Sequence, residues 1–145
     1  MRIVDLDAIT SGRLRVIDER TDLHAIAASL AEPGTEIAVV CNGSGIAIGV
    51  LTKSDLVRYL AQRTAGEREA RAMMSRPVIS CTPQDDLYWV WQHMVAHRIQ
   101  NVPVLDPHSR PLGVLDIRDA MKALLEQEEL QEHMLINYIA GIGYR

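Results

Sequence analysis

The chain of 145 residues contains no phenylalanine, and two tryptophans and four tyrosines supply its whole complement of Phe, Trp and Tyr. Readers of single-stranded nucleic acid need aromatic platforms on which bases stack, so this scarcity argues against them. Positive charge is also short: 15 Lys and Arg stand against 19 Asp and Glu, for a net charge of −4, and no basic run exceeds two residues. A binder of the nucleic-acid backbone is therefore not expected. Cysteine is limited to Cys41 and Cys81, without the paired spacing of a metal site or a disulfide framework. That usage is expected of a cytoplasmic protein with two buried thiols. The most apolar stretch, 37–51, is interrupted by Asn42, Gly43, Ser44, Gly45 and Gly49, so no membrane span is expected. The opening MRIVDLDAIT lacks the apolar stretch of a secretion signal.

What remains is 48% hydrophobic and mostly aliphatic, enough for one ordinary domain or two very small ones. An internal repeat chooses between these. Shifted by 64 residues, the sequence aligns Gly49-Val50-Leu51 with Gly113-Val114-Leu115 and Asp55 with Asp119. The same shift pairs Asp22-Leu23 with Asp86-Leu87, Val40 with Val104, Ala8 with Ala72 and Ser11 with Ser75. The chain thus reads as unit 1–64, unit 65–128 and a helical tail, 129–145.

Each unit reads as strand, helix, strand, strand, helix. The first strands are expected at Leu14–Ile17 and Val78–Cys81. The first helices carry apolar stripes at i, i+3, i+4 and i+7: Leu23, Ile26, Ala27, Leu30, and Leu87, Val90, Trp91, Met94. Strands at Ile37–Cys41 and Asn101–Leu105 end in turn-rich Asn-Gly-Ser-Gly and Asp-Pro-His-Ser. Strands at Ala47–Leu51 and Leu112–Leu115 then lead to helices beginning near Ser54 and Ile117. The segment Thr64–Ala72 reads as a structured connector, so the fold class is α/β (α+β), two pseudo-symmetric β-α-β-β-α units packed as one module.

The third strand of each unit enters its second helix through Gly49-Val-Leu-Thr-Lys-Ser-Asp55 and Gly113-Val-Leu-Asp-Ile-Arg-Asp119. A helix start offers free N–H groups and a positive dipole end, which suit an anion. A carboxylate there can accept bonds from the hydroxyls of a ribose, and the Thr52 hydroxyl can donate to a phosphate. From spacing alone, helix capping is the favoured account of Thr52, Ser54 and Asp116.

The duplicated Gly-hydrophobic-x-Ser/Thr-x-x-Asp pattern resembles the CBS domain in tandem, a Bateman module. Met73-Met74-Ser-Arg-Pro-Val78, Val102-Pro103-Val104-Leu105-Asp106 and Leu135-Ile-Asn-Tyr-Ile-Ala-Gly141 resemble that family's first-strand entry, second strand and C-terminal helix. The resemblance implies a module that takes AMP, ADP, ATP, NAD(H) or S-adenosylmethionine between its units; the sequence shows no Ser-His-Asp order and no Walker-type loop, so no enzyme is expected. By the same resemblance, Asp55 and Asp119 would hold riboses and Thr52 a phosphate. Main-chain groups around Ala38–Val40 and Val102, Pro103 and Val104 would meet adenine, and Ser80, ahead of Pro83, would add a polar contact.

Three departures stand out. Asp116 occupies a Ser/Thr position, and a carboxylate 4–6 Å from a phosphate would repel it by about 1 kcal/mol. It could instead favour a sulfonium or a bound Mg²⁺. Val16 stands at the position matching Ser80, and Gln100-Asn101 replace an Arg-His pair. The first unit's site is therefore favoured, with Lys53, and Arg118 from the facing helix start, neutralising phosphates. No cofactor is required for this role. The expected partners are an adenosine-containing small molecule, a regulated protein and a second copy in a homodimer, with no nucleic acid and no membrane. The alternative is a dimeric scaffold whose nucleotide sites have degenerated.

His93 and His97 have zinc-compatible i, i+4 spacing but no third ligand in the sequence. Tyr88, Trp89 and Trp91 cannot share one helix face, so one side reads as core and the other as a partner surface. The tail, acidic and then apolar through Leu130, Met134, Ile136 and Tyr138, reads as a helix that docks on its own module or on a second copy.

Overall fold

A computed structural model describes residues 1–62, 66 and 68–143. In the first unit, Asp22 caps helix α2 (Leu23–Ala31) by accepting from the Ala25 N–H at 3.0 Å. Ile26 and Leu30 on its stripe are fully buried against a three-stranded sheet, each contributing about 1.5–3 kcal/mol of apolar burial. The sheet order is β1 (Val16–Asp18), β2 (Ile37–Cys41), β3 (Ala47–Thr52), with β1 parallel and β3 antiparallel to the central β2. Helix α3 (Lys53–Ala61) follows β3 directly.

The second unit repeats this plan with α5 (Leu87–Ala96, capped by Asp86), β4 (Asn101–Leu105) and β5 (Pro111–Asp116). Its turn copies the first: Asn42 accepts from the Ser44 and Ile46 N–H groups, and Asp106 from those of His108 and Arg110. Gly45 and Ser109, at matching positions, both have positive φ. The expected strands at Ile37–Cys41 and Asn101–Leu105 are found with those bounds.

The expected first strands need correction. The first begins at Val16, two residues late. Val78–Cys81 forms no strand; it makes a single parallel bridge, Cys81 to Val104. Pro103 explains the loss. In the first unit the Val39 N–H donates to the Arg15 carbonyl at 2.8 Å and anchors the start of β1. The residue matching Val39 is Pro103, which has no N–H to donate.

The leading segments are exchanged between units. A 3₁₀ turn (Ile3–Leu6) and helix α1 (Asp7–Gly12) pack on the second unit, where Ile3 and Leu6 join Leu87, Met94 and Leu115 in its core. Helix α4 (Ala70–Met73) returns to the first unit, where Ala70 and Met73 join Ile26, Leu30 and Leu51. The Ile3 and Val4 N–H groups donate to the Asp85 and Pro83 carbonyls, and those of Ala70 and Arg71 to the matching Thr21 and Glu19. Two glycines make room. A methyl on Gly113 would stand 2.7 Å from the Thr10 carbonyl carbon, and one on Gly49 would run into Met74. A third core cluster joins Ile37, Val39 and Cys41 of β2 to Val114 of β5, sealing the units together. Of the expected connector, Thr64, Ala65 and Glu67 lie outside the described residues.

Helix α6 runs unbroken for 27 residues, Ile117–Gly143, so the tail continues the second unit's last helix. From residue 128 to 141 every side chain is exposed. Among the described residues, no helix is long and apolar enough to cross a membrane.

Candidate functional site: a cleft between the units

The junction of β3 and α3 opens on a cleft of about 660 Å³ formed by both units. The first unit contributes Glu36, Ile37, Val50, Thr52, Lys53 and Ser54. The other wall is Ser75–Pro77, Ile79, Arg98–Asn101 and Pro103. Lys53, Arg76 and Arg98 give it three cations, and none of the three is in an ion pair with a described residue. Glu36, the one carboxylate in the lining, lies 3.7 Å from the Arg118 guanidinium. Ile37, Val50, Pro77, Ile79, Ile99 and Pro103 supply apolar wall. A flat apolar group flanked by an anion would match this surface.

Thr52 caps α3 and forms a reciprocal capping box with Asp55. The Asp55 Oδ2 accepts from the Thr52 N–H at 2.9 Å and from its hydroxyl at 3.1 Å, while the Ser75 hydroxyl donates to Oδ1 at 2.7 Å and Arg58 at 3.1 Å. Asp55 is buried and stands behind the Thr52 and Ser75 side chains that line the cleft. Those hydroxyls can rotate about their C–O bonds.

The pseudo-symmetric junction of β5 and α6 differs. Asp116 is 1% exposed and caps α6, its Oδ1 accepting from the Arg118 N–H at 2.8 Å. The Arg118 guanidinium also grips Asp116, with Nη2 2.8 Å from Oδ2. Burial opposes the charge on Asp116, but these hydrogen bonds outweigh it and hold the carboxyl below its usual pKa. Arg13 donates through Nε to Asp119 Oδ2 and through Nη2 to Oδ1 at 3.1 Å, with Nη1 3.9 Å from Asp116. Its pKa is raised, chiefly by the Asp119 hydrogen bond.

Of the residues expected to bind, the structure brings Thr52, Lys53 and Pro103 to the first cleft. Ser80 and Val102 line an adjoining, more apolar hollow of about 340 Å³ under α5, which shares Ile79 and Ile99 with the cleft. The cleft is the better candidate for a phosphorylated ligand, because the hollow's charged lining is Asp85 and Asp86. Ala38 and Val40 do not line the cleft; they are fully buried in the central strand. Arg118, expected to face phosphates, is turned to Asp116 and Glu36, and Asp119 to Arg13. Sequence reasoning did not find Ser75, Arg76 or Arg98 in the cleft. Arg76 lies within the quoted Met73–Val78 stretch, and Arg98 holds a positive φ at the α5–β4 turn.

Elsewhere, the His93 and His97 rings stack at 4.1 Å, and no described His, Cys, Asp and Glu form a metal-holding group of three or more. Both cysteines are free and buried; burial pushes the Cys81 thiol up to about 12, with Asp85 adding to it, and raises Cys41 as well.

Comparison with known proteins agrees with this architecture. The CBS-domain model matches residues 6–62 and 70–126, two segments in register with the repeat, and the chain belongs to the CBS-domain family as a tandem pair. Among solved structures, a CBS-domain pair in complex with 5'-methylthioadenosine and S-adenosyl-L-methionine superposes with a TM-score of 0.73 at 20% identity, covering 88% of this chain and 98% of that one. A CBS-domain protein from Pyrobaculum aerophilum complexed with AMP gives 0.70 at 24% identity, over 82% and 89%. Among curated sequences, an uncharacterized protein of Methanopyrus kandleri is 28% identical over 67% of this chain, and a homoserine O-acetyltransferase of Methanococcoides burtonii 22% over 77%. The chain spans only 50% and 22% of those two relatives' lengths.

Proposed function

We propose that the protein is a cytoplasmic regulatory module that binds an adenosine nucleotide in the cleft between its units. The observation that carries this reading is the set of three cations, Lys53, Arg76 and Arg98, without an ion-pair partner among the described residues, around a largely apolar cleft. Adenine fits the apolar wall, phosphate the cations, and ribose the Thr52–Asp55–Ser75 group. Structural neighbours solved with AMP and with S-adenosyl-L-methionine support the ligand class. Among these, the cationic lining favours AMP, ADP or ATP over a sulfonium. Ligand pulling on Thr52 and Arg98 from opposite walls would bias the packing of the units, and a regulated protein would read that packing.

Exposed apolar side chains on α5 and α6 (Tyr88, Trp89, Leu125, Leu130, Met134 and Tyr138) support a homodimer. Light scattering on the full chain tests that arm; a monomer at tens of micromolar would remove it.

The ligand reading is tested by thermal unfolding with AMP at about 100 times its Kd, where roughly 2.7 kcal/mol of stabilisation is expected. Lys53→Glu should abolish the shift. If AMP, ATP, NADH and S-adenosylmethionine all leave the midpoint unmoved, the nucleotide reading fails and the scaffold alternative stands.

A further inference from the structure

We propose that the second cleft is closed by the chain's own Arg13, which occupies the sugar-binding carboxylate and makes the module asymmetric, with one ligand per chain. The inference rests on the reading that inter-unit clefts of this protein take adenosine compounds, and it concerns the cleft that reading leaves aside. Both oxygens of Asp119 are taken by the Arg13 fork. A bidentate guanidinium–carboxylate pair is among the strongest charge-assisted contacts, so a ribose reaching Asp119 would have to compete with it. The corresponding Asp55 also has both oxygens engaged, by the Thr52 N–H, the Thr52 and Ser75 hydroxyls and one Arg58 nitrogen, but no guanidinium fork spans it.

Position explains why Arg13 can do this. It follows α1, which packs on the second unit, and precedes β1, which enters the first unit's sheet, so its backbone crosses the junction. The residue matching Arg13 in the repeat is Pro77, which lines the open cleft and has no polar side chain to fill it. The second junction also differs in charge. Arg13 and Arg118 are offset there by Asp116 and Asp119, so an incoming phosphate would meet two carboxylates where the first cleft offers three cations with no ion-pair partner among the described residues.

The test uses adenosine, which carries a ribose for Asp119 but no phosphate for Asp116 to repel. Calorimetric titration of the full chain and of Arg13→Gln counts the sites. The wild type should bind one equivalent of adenosine per chain and the variant two. Equal numbers, or two sites already in the wild type, would overturn the proposal. A wild type with no site and a variant with one would uphold the closure by Arg13 while sinking the first-cleft reading and, with it, the count of one ligand per chain, which keeps the two failures apart. Should Arg13→Gln not fold, the wild type still decides by ¹⁵N NMR. The Arg13 Nε–H should exchange slowly with solvent and keep its shift under excess adenosine. Exchange as fast as that of the exposed arginines, or displacement of the signal by adenosine, would overturn it.

Discussion

The two junctions between the units have the same backbone origin and opposite contents. At the first, a hydroxyl residue caps the helix and three cations line an open cleft. At the second, an aspartate caps the helix and two arginines neutralise two carboxylates in place. The difference traces to a few positions of the repeat: Thr52 against Asp116, Lys53 against Ile117, and Pro77 against Arg13. A duplicated fold supplies two equivalent places, and side-chain chemistry makes them differ: on the proposed reading one takes a ligand and the other holds the units together.

The comparison can be broken most forcefully at the glycines where the leading segments cross. Gly113→Ala should cost about 3 kcal/mol, because the new methyl meets the Thr10 backbone. Gly49→Ala should cost about 1 kcal/mol, since the flexible Met74 side chain can move aside, although the Ser75 carbonyl oxygen lies at 3.0 Å. Urea unfolding measures both, and equal costs would refute the asymmetric packing.

Next in size is the cap itself. Asp116→Ala should lose about 2 kcal/mol, combining a lost N-cap with the loss of a buried, hydrogen-bonded carboxylate. Thr52→Ala should lose about 1 kcal/mol. The sign of the pH dependence follows from the lowered pKa of Asp116. A carboxyl depressed on folding adds stability that is present above its unfolded value of about 3.9 and disappears as pH falls through the folded value. Asp116→Asn should therefore flatten the acid limb of the stability profile, and an unchanged limb would contradict the assignment.

A smaller effect is expected at Thr35, which matches Ile99 in the repeat. Its hydroxyl is buried without a hydrogen-bond partner among the described residues, so Thr35→Val should raise stability by about 1 kcal/mol in the same unfolding assay. A loss would mean that the hydroxyl is satisfied in solution.

Much of this was legible from residues alone. The 64-residue register placed both hairpins and both helix starts, because alternation, turn residues and helix caps are local signals. The short bridge at Cys81 was not foreseen, although the cause was visible: a proline stands where the first unit uses an N–H. The exchange of leading segments escaped because it joins residues 3–12 to residues 83–113, and few local features report such a contact. The paired glycines at 49 and 113 were its trace. In the site, Thr52 and Lys53 were found through their helix start. Arg76 and Arg98 come from the other unit and converge on the cleft only after the units pack. The Arg13 fork was illegible for the same reason, since its partner lies 106 residues away.

The central claim, that the first junction is the open one, is tested most directly by amide chemical-shift mapping of the ¹⁵N-labelled chain titrated with AMP. The expected result is a saturable set of shifts at Thr52, Lys53, Ser75, Ile79 and Arg98–Asn101, with Asp116–Ala120 and Arg13 unmoved. Shifts centred on Asp116–Ala120, with the Thr52 region silent, would contradict it.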